Sequence, residues 1–258
     1  MKTKAMKEYG LIGYPLGHSF SKMYFNDKFH RERIDARYEL FPMEHFDREL
    51  LMRLVESRPN LAGFNVTIPY KEEVCAICDE LSADAAKIGA VNTVVVERSG
   101  EGVRLIGHNT DWRAFYDTLS EYNPAEGTEA LLFGTGGASK ALQYALLKKG
   151  IGCKVVSRTP KHGKDVICYG DIGHEMMERH MLLVNATPVG MYPATEECLP
   201  IPYQYVTPRH MLYDIVYNPT ITEFMRRGAE RGATVKNGLA MLYGQAELAW
   251  RIWTGEKL

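Results

Sequence analysis

The sequence has few cysteines, no excess of charge of either sign and no long apolar run. Its five cysteines are an odd number scattered between Cys75 and Cys198, which is unlike a disulfide framework and fits a reducing compartment. The 31 lysines and arginines are balanced by 32 aspartates and glutamates, so the basic field typical of nucleic-acid binders is missing. No apolar run reaches the roughly 18 residues of a spanning helix, and Gly10, Gly13 and Pro15 interrupt the first apolar segment too early for a signal peptide. We therefore expect a cytoplasmic protein that binds neither nucleic acid nor membrane.

Two short motifs resemble metal or redox sites but are incomplete. Cys75-x-x-Cys78 lacks a second pair of cysteine or histidine ligands at short spacing, so two small apolar residues on one helix face are the simpler interpretation. The segment from His174 has Glu178 where a zinc-protease helix carries its second histidine. We predict no metal site.

The composition is that of a globular chain with room for two modest domains. It has 258 residues, of which 45% are hydrophobic and 24% charged. Apolar periodicity predicts short strands alternating with helices along the first hundred residues, which indicates an α/β layer. The predicted strands are Glu8–Gly13, Arg37–Phe41, Leu61–Ile68, Ala90–Glu97 and Val103–Gly107, and the predicted helices are Ser21–Arg31, Phe46–Val55 and Tyr70–Cys78.

A second α/β unit begins with the apolar strand Ala130–Phe133. A helix follows, because alanines and leucines recur at helical spacing from Ala138 to Leu146. Three more short apolar strands are predicted at Cys153–Val156, Met181–Asn185 and Met211–Val216. Strands separated by crossovers are typical of a parallel, doubly wound sheet. The last predicted helix, Leu239–Trp253, carries an apolar stripe, and we expect it to return to the first unit.

A glycine-rich turn between the first strand and helix of this second unit is typical of a dinucleotide site. It consists of Gly134, Thr135, Gly136, Gly137 and Ala138. Glycines permit close approach of the backbone, and the helix N-terminus offers unpaired amides to a pyrophosphate. Ser139 stands where the third glycine of the usual motif would be, and glycine-rich turns also occur for packing reasons alone. Both interpretations stay open at this point.

About twenty residues further on, the end of the next strand is basic where NAD-binding domains carry an acidic residue. The chain there has Ser157, Arg158 and Thr159, with Lys161 and Lys164 close behind. An arginine can pair with a ribose 2′-phosphate while the hydroxyls donate to it, which favours NADP. A solvated basic turn is the alternative.

A polar cluster is predicted at the end of the strand Leu61–Ile68. Asn65 and Thr67 share one strand face because they are two residues apart, and Lys71 follows in the predicted first helical turn. An amine placed there can exchange a proton with a ligand. A surface lysine gives the same pattern.

Taken together, the motifs resemble those of the shikimate dehydrogenase family, in order and over nearly the whole chain. The stretches that match its substrate domain are Gly13 to Ser21, Asn65 to Lys71, Ile88 to Thr93 and Asn109 to Asp111. The stretches that continue the match are the Gly134 turn, Ser157 to Thr159, Asn185 to Met191, Tyr213 to Pro219, and Asn237 to Leu242 with Gln245.

The resemblance implies reversible reduction of 3-dehydroshikimate to shikimate by NADPH, a step of aromatic amino-acid precursor synthesis, in two α/β domains around a cleft. Lys71 and Asp111 would be the catalytic pair, with Lys71 passing a proton to the C3 oxygen as hydride arrives and Asp111 holding the lysine and a substrate hydroxyl. The implied substrate-binding residues are Ser19, Ser21, Asn65, Thr67, Asn92, Tyr217 and Gln245. The implied cofactor-binding residues are Gly134, Thr135, Gly136, Gly137, Ala138, Ser157, Arg158, Thr159, Thr187 and Gly238.

The resemblance also sets the expected domains and partners. It implies a substrate-binding and catalytic domain at 1–110, a Rossmann-like NADP-binding domain at 111–236, and a C-terminal helix at 237–258 that packs on the first domain. The implied partner is the small-molecule substrate, and the expected state is a monomer or homodimer. Ser19 and Ser21 also stand where helix N-caps are expected, which is the simpler role for a hydroxyl taken alone.

The sequence departs from the family at four places. Lys22 stands where proline is usual, Trp112 where a glycine follows the aspartate, and Ser157 where asparagine is usual; the segment from Thr159 to Met181 is also shorter, so that a crossover helix is trimmed or missing. These departures leave two alternatives beside the main prediction. One is a paralogue that acts on quinate or a related hydroxylated ring acid. The other is a non-catalytic NADP-binding regulator, which the presence of both Lys71 and Asp111 disfavours.

Overall fold

The computed structural model describes residues 6–17, 19–100, 102–121, 124, 126–159 and 166–256. The chain divides into two compact units: Met1–Thr110 with Ala246–Leu258 (unit 1), and Asp111–Gln245 (unit 2). Each unit is built on a six-stranded sheet. The expected fold class, two α/β domains, is confirmed. The C-terminal helix is expected to return to the first domain, and its residues from Ala246 onward belong to unit 1. In the described part of the chain, no helix is long and apolar enough to cross a membrane.

Unit 1 has a mixed sheet in the order β2-β1-β3-β5-β6-β4. Its elements are β1 (Lys7–Gly13), α1 (Phe20–Glu32), β2 (Ala36–Pro42), α2 (Arg48–Ser57), β3 (Leu61–Val66), α3 (Glu73–Ile77), β4 (Glu80–Leu81), α4 (Ala83–Ile88), β5 (Thr93–Ser99) and β6 (Gly102–His108). The strands β1, β2 and β3 run parallel, whereas β5 is antiparallel to β3 and to β6. The carboxyl ends of β1 and β3 therefore lie at one edge of the sheet.

Local signals in the sequence start and stop the helices of unit 1. The Asp47 side chain accepts from Leu50 N at the start of α2, and Ser82 accepts from Ala85 N at the start of α4. Gly89 ends α4 with a φ of 69°, a left-handed conformation that glycine adopts without steric cost. These caps fix the positions of the loops that follow.

Unit 2 has a parallel sheet in the order β12-β11-β10-β7-β8-β9. Its elements are α5 (Asp111–Ser120), β7 (Glu129–Phe133), α6 (Gly137–Lys148), β8 (Gly152–Ser157), β9 (Val166–Cys168), α7 (His174–Arg179), β10 (Leu182–Asn185), β11 (Met211–Asp214), α8 (Glu223–Glu230), β12 (Thr234–Lys236) and the first part of α9 (Leu239–Thr254), up to Gln245. The chain order along this sheet reverses between β7 and β10, as in doubly wound dinucleotide-binding folds. Ligands of such sheets bind outside the carboxyl ends of the strands at this switch point.

The end of α9 packs into unit 1 as its apolar stripe predicts. Ala246 and Ala249 are fully buried, and Trp253 lies in one cluster with Tyr9 and Phe25. The indole N–H of Trp253 donates to the carbonyl of Val94 at 3.0 Å, so the polar end of this ring is also satisfied. This helix therefore helps to build the core of unit 1.

The structure differs from the predicted elements in the segment that carries Lys71. The predicted helix Tyr70–Cys78 begins only at Glu73, and Lys71 lies in the preceding turn. The reason is a competing hydrogen bond: Val91 N donates to Lys71 O at 2.7 Å, and Cys75 N donates to Glu72 O instead. Lys71 is therefore held by its backbone rather than by a helix.

The shortened crossover after Thr159 keeps only a small helix. Within the described residues of this segment, the chain forms β9 and then α7, which has six residues. Lys161 and Lys164, the basic residues noted in the sequence, lie outside the described residues. The expectation of a trimmed crossover helix agrees with the length of α7.

Candidate active site

The glycine-rich turn of unit 2 is open where a phosphate would bind. Gly136 is the N-cap of α6, no side chain caps this helix, and a Cβ added at Gly136 would meet no atom within 4 Å. Gly134 has a φ of 117°, and a Cβ there would lie 3.0 Å from Ala186 O. The first turn of α6 thus offers its amides to an anion, and the residues present fit the pyrophosphate of a dinucleotide.

Ser139 compensates for the missing third glycine. It is fully buried, and its hydroxyl donates to Gly134 O at 2.7 Å. This bond ties the start of α6 to the end of β7, the close packing that the third glycine provides in the usual motif. Thr135, Gly137 and Ala138 lie partly exposed between these two anchors.

The strand β8 pairs with β7, and its end is followed by the positively charged Arg158. Ser157 is buried, and its hydroxyl accepts from Thr159 N at 3.3 Å, which folds the chain into a tight turn. Arg158 and Thr159 are exposed, and no carboxylate among the described residues pairs with Arg158. Arg158 thus places a positive charge at the surface of this turn, while Ser157 is buried and supports the turn.

Thr187 lies on the other side of the switch point, beside Gly134. A Cβ at Gly134 would lie 3.1 Å from Thr187 Cγ2. The Thr187 amide and hydroxyl both donate to Asn185 Oδ1, at 2.9 and 2.6 Å. The loop after β10 is therefore held from within at the position where the sheet order reverses.

Three further predicted residues of unit 2 lie near the end of β11 and the start of α9. Gly238 must be glycine, since a Cβ there would lie 2.0 Å from Ile215 O. Its amide donates to Val216 O at 3.0 Å, next to Tyr217. Tyr217 is half-buried, and burial raises the pKa of its hydroxyl. Gln245 is partly buried on α9, and its side-chain amide donates to Leu242 O at 2.9 Å.

In unit 1, Asn65 is buried at the end of β3 and is held by its neighbours. Its Oδ1 accepts from the hydroxyl of Tyr38 at 2.8 Å, and its Nδ2 donates to Asn92 O at 3.2 Å and to Thr93 Oγ1 at 3.1 Å. Both amide hydrogens are thus used within the unit. Asn65 keeps one Oδ1 lone pair and can accept from, rather than donate to, a ligand hydroxyl in this arrangement.

Thr67 and Lys71 follow at the same sheet edge. The Thr67 amide donates to Ile12 O at 2.9 Å, and its carbonyl accepts from Tyr70 N at 3.1 Å, so the turn is fixed to β1. Both Thr67 and Lys71 are partly exposed. The amide and carbonyl of Thr67 and the carbonyl of Lys71 are therefore all bonded within unit 1.

Asn92 anchors the segment that leads to Asp111. Its Nδ2 donates to Thr110 Oγ1 at 2.9 Å, and its Oδ1 accepts from Thr110 N at 2.8 Å. Because Val91 N holds Lys71 O, one short segment of unit 1 fixes the backbone of Lys71 and of Thr110. Asp111, the next residue, is the buried first residue of α5.

The two serines have local partners. Ser19 is the N-cap of α1 and accepts from Lys22 N at 3.4 Å, the role that a hydroxyl at this place predicts. Ser21 lies near the hydroxyl of Tyr38, which donates to Asn65. Burial raises the pKa of Tyr38 well above its usual value, so it stays a neutral donor.

The two unusual side chains, Lys22 and Trp112, are each held by neighbours within their own unit. The Lys22 ammonium forms an ion pair with Glu39 at 2.9 Å, so its charge has a partner on β2. Trp112 packs edge-on against Tyr144 of α6, with ring centroids 5.2 Å apart. Neither arrangement removes a predicted site residue.

The structure also shows polar residues that the sequence does not single out. Tyr38 and Thr93 support Asn65, and Asp214 supports Asn185. Asn185 and Asp214 do carry a recognisable signal, because each is the polar last residue of a buried parallel strand. Tyr38 carries none, since a tyrosine on an apolar strand usually belongs to the core.

Among the described residues, no group of three or more histidines, cysteines, aspartates or glutamates could hold a metal ion. Cys75 and Cys78 form no disulfide, and both are partly buried and pack against the core of unit 1. Burial raises the pKa of Cys78 to about 12, which disfavours the reactive thiolate.

Comparisons with known proteins agree with this geometry. A model of the shikimate dehydrogenase substrate-binding domain matches residues 11–94. A shikimate dehydrogenase (NADP(+)) of Carboxydothermus hydrogenoformans is 37% identical, over 95% of this chain and 91% of that protein. The Thermus thermophilus shikimate 5-dehydrogenase, solved in complex with NADP(H) and shikimate, is 32% identical with a TM-score of 0.82, over 97% of this chain and 94% of that one. A Corynebacterium glutamicum quinate dehydrogenase in complex with NAD is 26% identical with a TM-score of 0.84, over 96% and 94%.

The doubly wound sheet, the open glycine turn and these relatives define an oxidoreductase that uses a nicotinamide dinucleotide. More particularly, the chain belongs to the shikimate dehydrogenase family.

Proposed function

We propose that this protein catalyses the reversible NADP-dependent reduction of 3-dehydroshikimate to shikimate in aromatic amino-acid biosynthesis. The observation that carries the proposal is the match to a shikimate dehydrogenase (NADP(+)) at 37% identity over 95% of the chain. It is supported by the presence of Lys71 and Asp111, which disfavours a non-catalytic regulator.

NADP is proposed to bind at the switch point of unit 2. The α6 amides at Gly136 and Gly137 suit the pyrophosphate, and Arg158 with Thr159 suits the 2′-phosphate. Thr187 and Gly238 are the proposed residues on the other half of the sheet, and Ser157 acts by shaping the turn. When bound, the reduced cofactor supplies the hydride.

Lys71 and Asp111 are proposed as the catalytic pair. Lys71 gives a proton to the carbonyl oxygen of 3-dehydroshikimate during reduction and takes it back during oxidation. Asp111 holds the lysine and a substrate hydroxyl. The support for these roles is that the 91–92 segment fixes the backbone of Lys71 and of Thr110, the residue before Asp111.

The proposed substrate residues are neutral hydrogen-bonding groups, as a small polyhydroxylated acid requires. Their proposed partners are the carboxylate for Ser19 and Ser21 and the ring hydroxyls for Asn65, Thr67, Asn92 and Gln245, with Tyr217 lining the site. The bonds that Asn65 and Asn92 already make within unit 1 fit residues whose orientation is set before the substrate arrives.

The first test is absorbance at the reduced-nicotinamide band with purified protein, shikimate, and NADP+ or NAD+ in parallel. A rise with NADP+ is expected. Arg158→Gln should lower the preference for NADP+ over NAD+ roughly 10- to 100-fold, because a charge-assisted hydrogen bond is lost. Arg209→Gln, another exposed arginine of unit 2, is the matched control. An unchanged preference in Arg158→Gln would refute the role of this residue.

The second candidate is a quinate dehydrogenase, which the similarity to the Corynebacterium glutamicum enzyme favours. Quinate carries an extra hydroxyl on the carbon that bears the carboxylate, so the two acids differ next to the proposed Ser19 and Ser21 site. Parallel assays with both acids separate the candidates. A larger kcat/KM for quinate would replace the main proposal.

We also propose a cytoplasmic location and a monomeric or homodimeric state. Five cysteines that form no disulfide suit a reducing compartment. Light scattering on the purified protein measures the mass, and a larger assembly would contradict this expectation.

A further inference from the structure

Unit 2 holds a fully buried carboxylate, Asp214, that the proposed mechanism does not use. It accepts from Asn185 Nδ2 at 3.0 Å, from Val216 N at 2.9 Å and from Thr222 Oγ1 at 2.6 Å. In the part of the chain that the structure describes, no basic side chain forms an ion pair with it. A buried carboxylate without a cation is costly and calls for a reason beyond stability.

The donors to Asp214 come from three different segments at the carboxyl edge of the sheet. Asn185 ends β10, Val216 leads to Tyr217, and Thr222 is the N-cap of α8. Asn185 continues the network, because its Oδ1 accepts from both the amide and the hydroxyl of Thr187. Asp214 is thus the central acceptor of the loops that follow β10 and β11.

A carboxylate fixes the direction of the Asn185 amide, which an amide or a hydroxyl at 214 would not. An ionised carboxylate only accepts, so Asn185 must turn Nδ2 toward it and Oδ1 toward Thr187. Burial raises the pKa of Asp214 to about 6, so the carboxylate is mainly ionised at neutral pH. Asn185 Nδ2 also donates to Val189 O, at the longer distance of 3.3 Å. With an amide at 214, this weaker bond alone would keep Nδ2 turned away from Thr187, and a flip would present N–H groups to the Thr187 amide.

The sheet order tells which part of a dinucleotide this network faces. The β7-β8-β9 half carries the glycine turn and Arg158, the proposed site of the phosphorylated adenosine. Each half of such a sheet binds one mononucleotide. The β10-β11-β12 half, which ends in Asn185 and Asp214, therefore takes the nicotinamide mononucleotide.

We propose that Asp214 is a positioning residue of the cofactor site: through the Asn185 amide, it orients Thr187 and the loop after β10 toward the nicotinamide half of NADP. This inference rests on the proposed function. Asp214 itself touches neither cofactor nor substrate in this role.

The experiment compares two ligands by calorimetry, NADP+ and adenosine 2′,5′-bisphosphate, which lacks the nicotinamide half. In Asp214→Asn, the Kd for NADP+ should rise about tenfold, which is the usual cost of about one misplaced buried hydrogen bond, whereas the Kd for the bisphosphate should stay within about twofold. Asp117→Asn changes an exposed aspartate of the same unit and should alter neither Kd. Equal weakening of both ligands, or no change in either, would overturn the inference.

Two further variants keep the test informative if Asp214→Asn folds poorly. Asn185→Ala keeps the carboxylate and removes the intermediate amide, so it should reproduce the selective loss of NADP+ affinity. The double variant Asn185→Asp with Asp214→Asn puts the acceptor-only group beside Thr187 and should bind NADP+ more tightly than either single variant. A double variant that is no better than both singles contradicts the directional role. Wild-type protein that binds no NADP+ would overturn the proposed function and this inference together, whereas the other outcomes bear on the inference alone.

Discussion

In unit 1, the side-chain amides of Asn65 and Asn92 form hydrogen bonds with other residues of the same unit. In unit 2, by contrast, no side chain caps the first backbone amides of α6. In unit 1, the residues proposed for the substrate are also parts of the internal hydrogen-bond network. In unit 2, the proposed phosphate groups meet backbone amides and an exposed Arg158. The difference indicates that substrate-side variants should disturb structure as well as binding, while phosphate-side variants should disturb binding alone.

Among the proposed site residues of unit 1, we expect Lys71 to be the one whose substitution disturbs the structure least. Its backbone carbonyl accepts from Val91 N, a bond that any side chain preserves, and its side chain is partly exposed. Lys71→Ala should therefore lower kcat by about a thousandfold through loss of the proton donor, with a change in unfolding free energy of within about 0.5 kcal/mol. Steady-state assay and urea unfolding measure the two effects.

Lys87→Ala, an exposed lysine on α4 of the same unit, is the control and should keep full turnover. Near-normal turnover in Lys71→Ala would remove Lys71 from the mechanism.

Part of this contrast between the two units could be predicted from the sequence. The glycine turn after Ala130–Phe133 predicts the open α6 terminus from spacing alone, since strand, glycines and helix are local signals. Asn65 lies on β3, within the strand that the sequence predicts. Its internal bonds were not predictable, because Tyr38 and Thr93 reach Asn65 only through the pairing of distant strands. The turn at Lys71 was missed for the same reason: the competing donor, Val91, lies twenty residues away in sequence.

Two carboxyl groups with oppositely shifted pKa values extend the comparison to pH. In unit 2, burial raises the pKa of Asp214 to about 6 from 3.8, so the folded state binds a proton that the unfolded state has released between about pH 4 and 6. Ionised Asp214 therefore costs stability as pH rises through this window, up to about 3 kcal/mol for a shift of about two units. In unit 1, the Leu105 amide holds the pKa of Asp79 below its usual value, so its stabilising contribution is present at higher pH and is lost as pH falls below about 4.

Urea unfolding from pH 4 to 7 tests this opposite behaviour. The free energy of unfolding of wild type minus that of Asp214→Asn should fall as pH rises from 4 to 6 and then level off. The corresponding difference for Asp79→Asn should stay level across that range. A flat difference for Asp214→Asn would mean that its carboxyl group titrates near its ordinary pKa.

Gly136→Ala should change the stability of the protein very little, and we compare it with Asn92→Ala. Asn92→Ala removes the buried hydrogen bonds of this side chain to Thr110 and Thr93 and should lower the unfolding free energy by roughly 2 kcal/mol. Gly136 has a φ of −83°, which any residue adopts, and a Cβ there meets no atom within 4 Å. Gly136→Ala should therefore change stability by within about 0.5 kcal/mol.

If the pyrophosphate binds at the α6 amides as proposed, the same methyl group occupies part of its space, so Gly136→Ala should weaken NADP+ binding about tenfold or more even though the fold is unchanged. Urea unfolding measures the unfolding free energy of each variant, and calorimetry measures its Kd for NADP+. If Gly136→Ala binds NADP+ as wild type does, the cofactor does not approach the α6 amides closely. Unit 2 would then not bind the pyrophosphate through its backbone, and the proposed contrast with the side-chain site of unit 1 would be wrong.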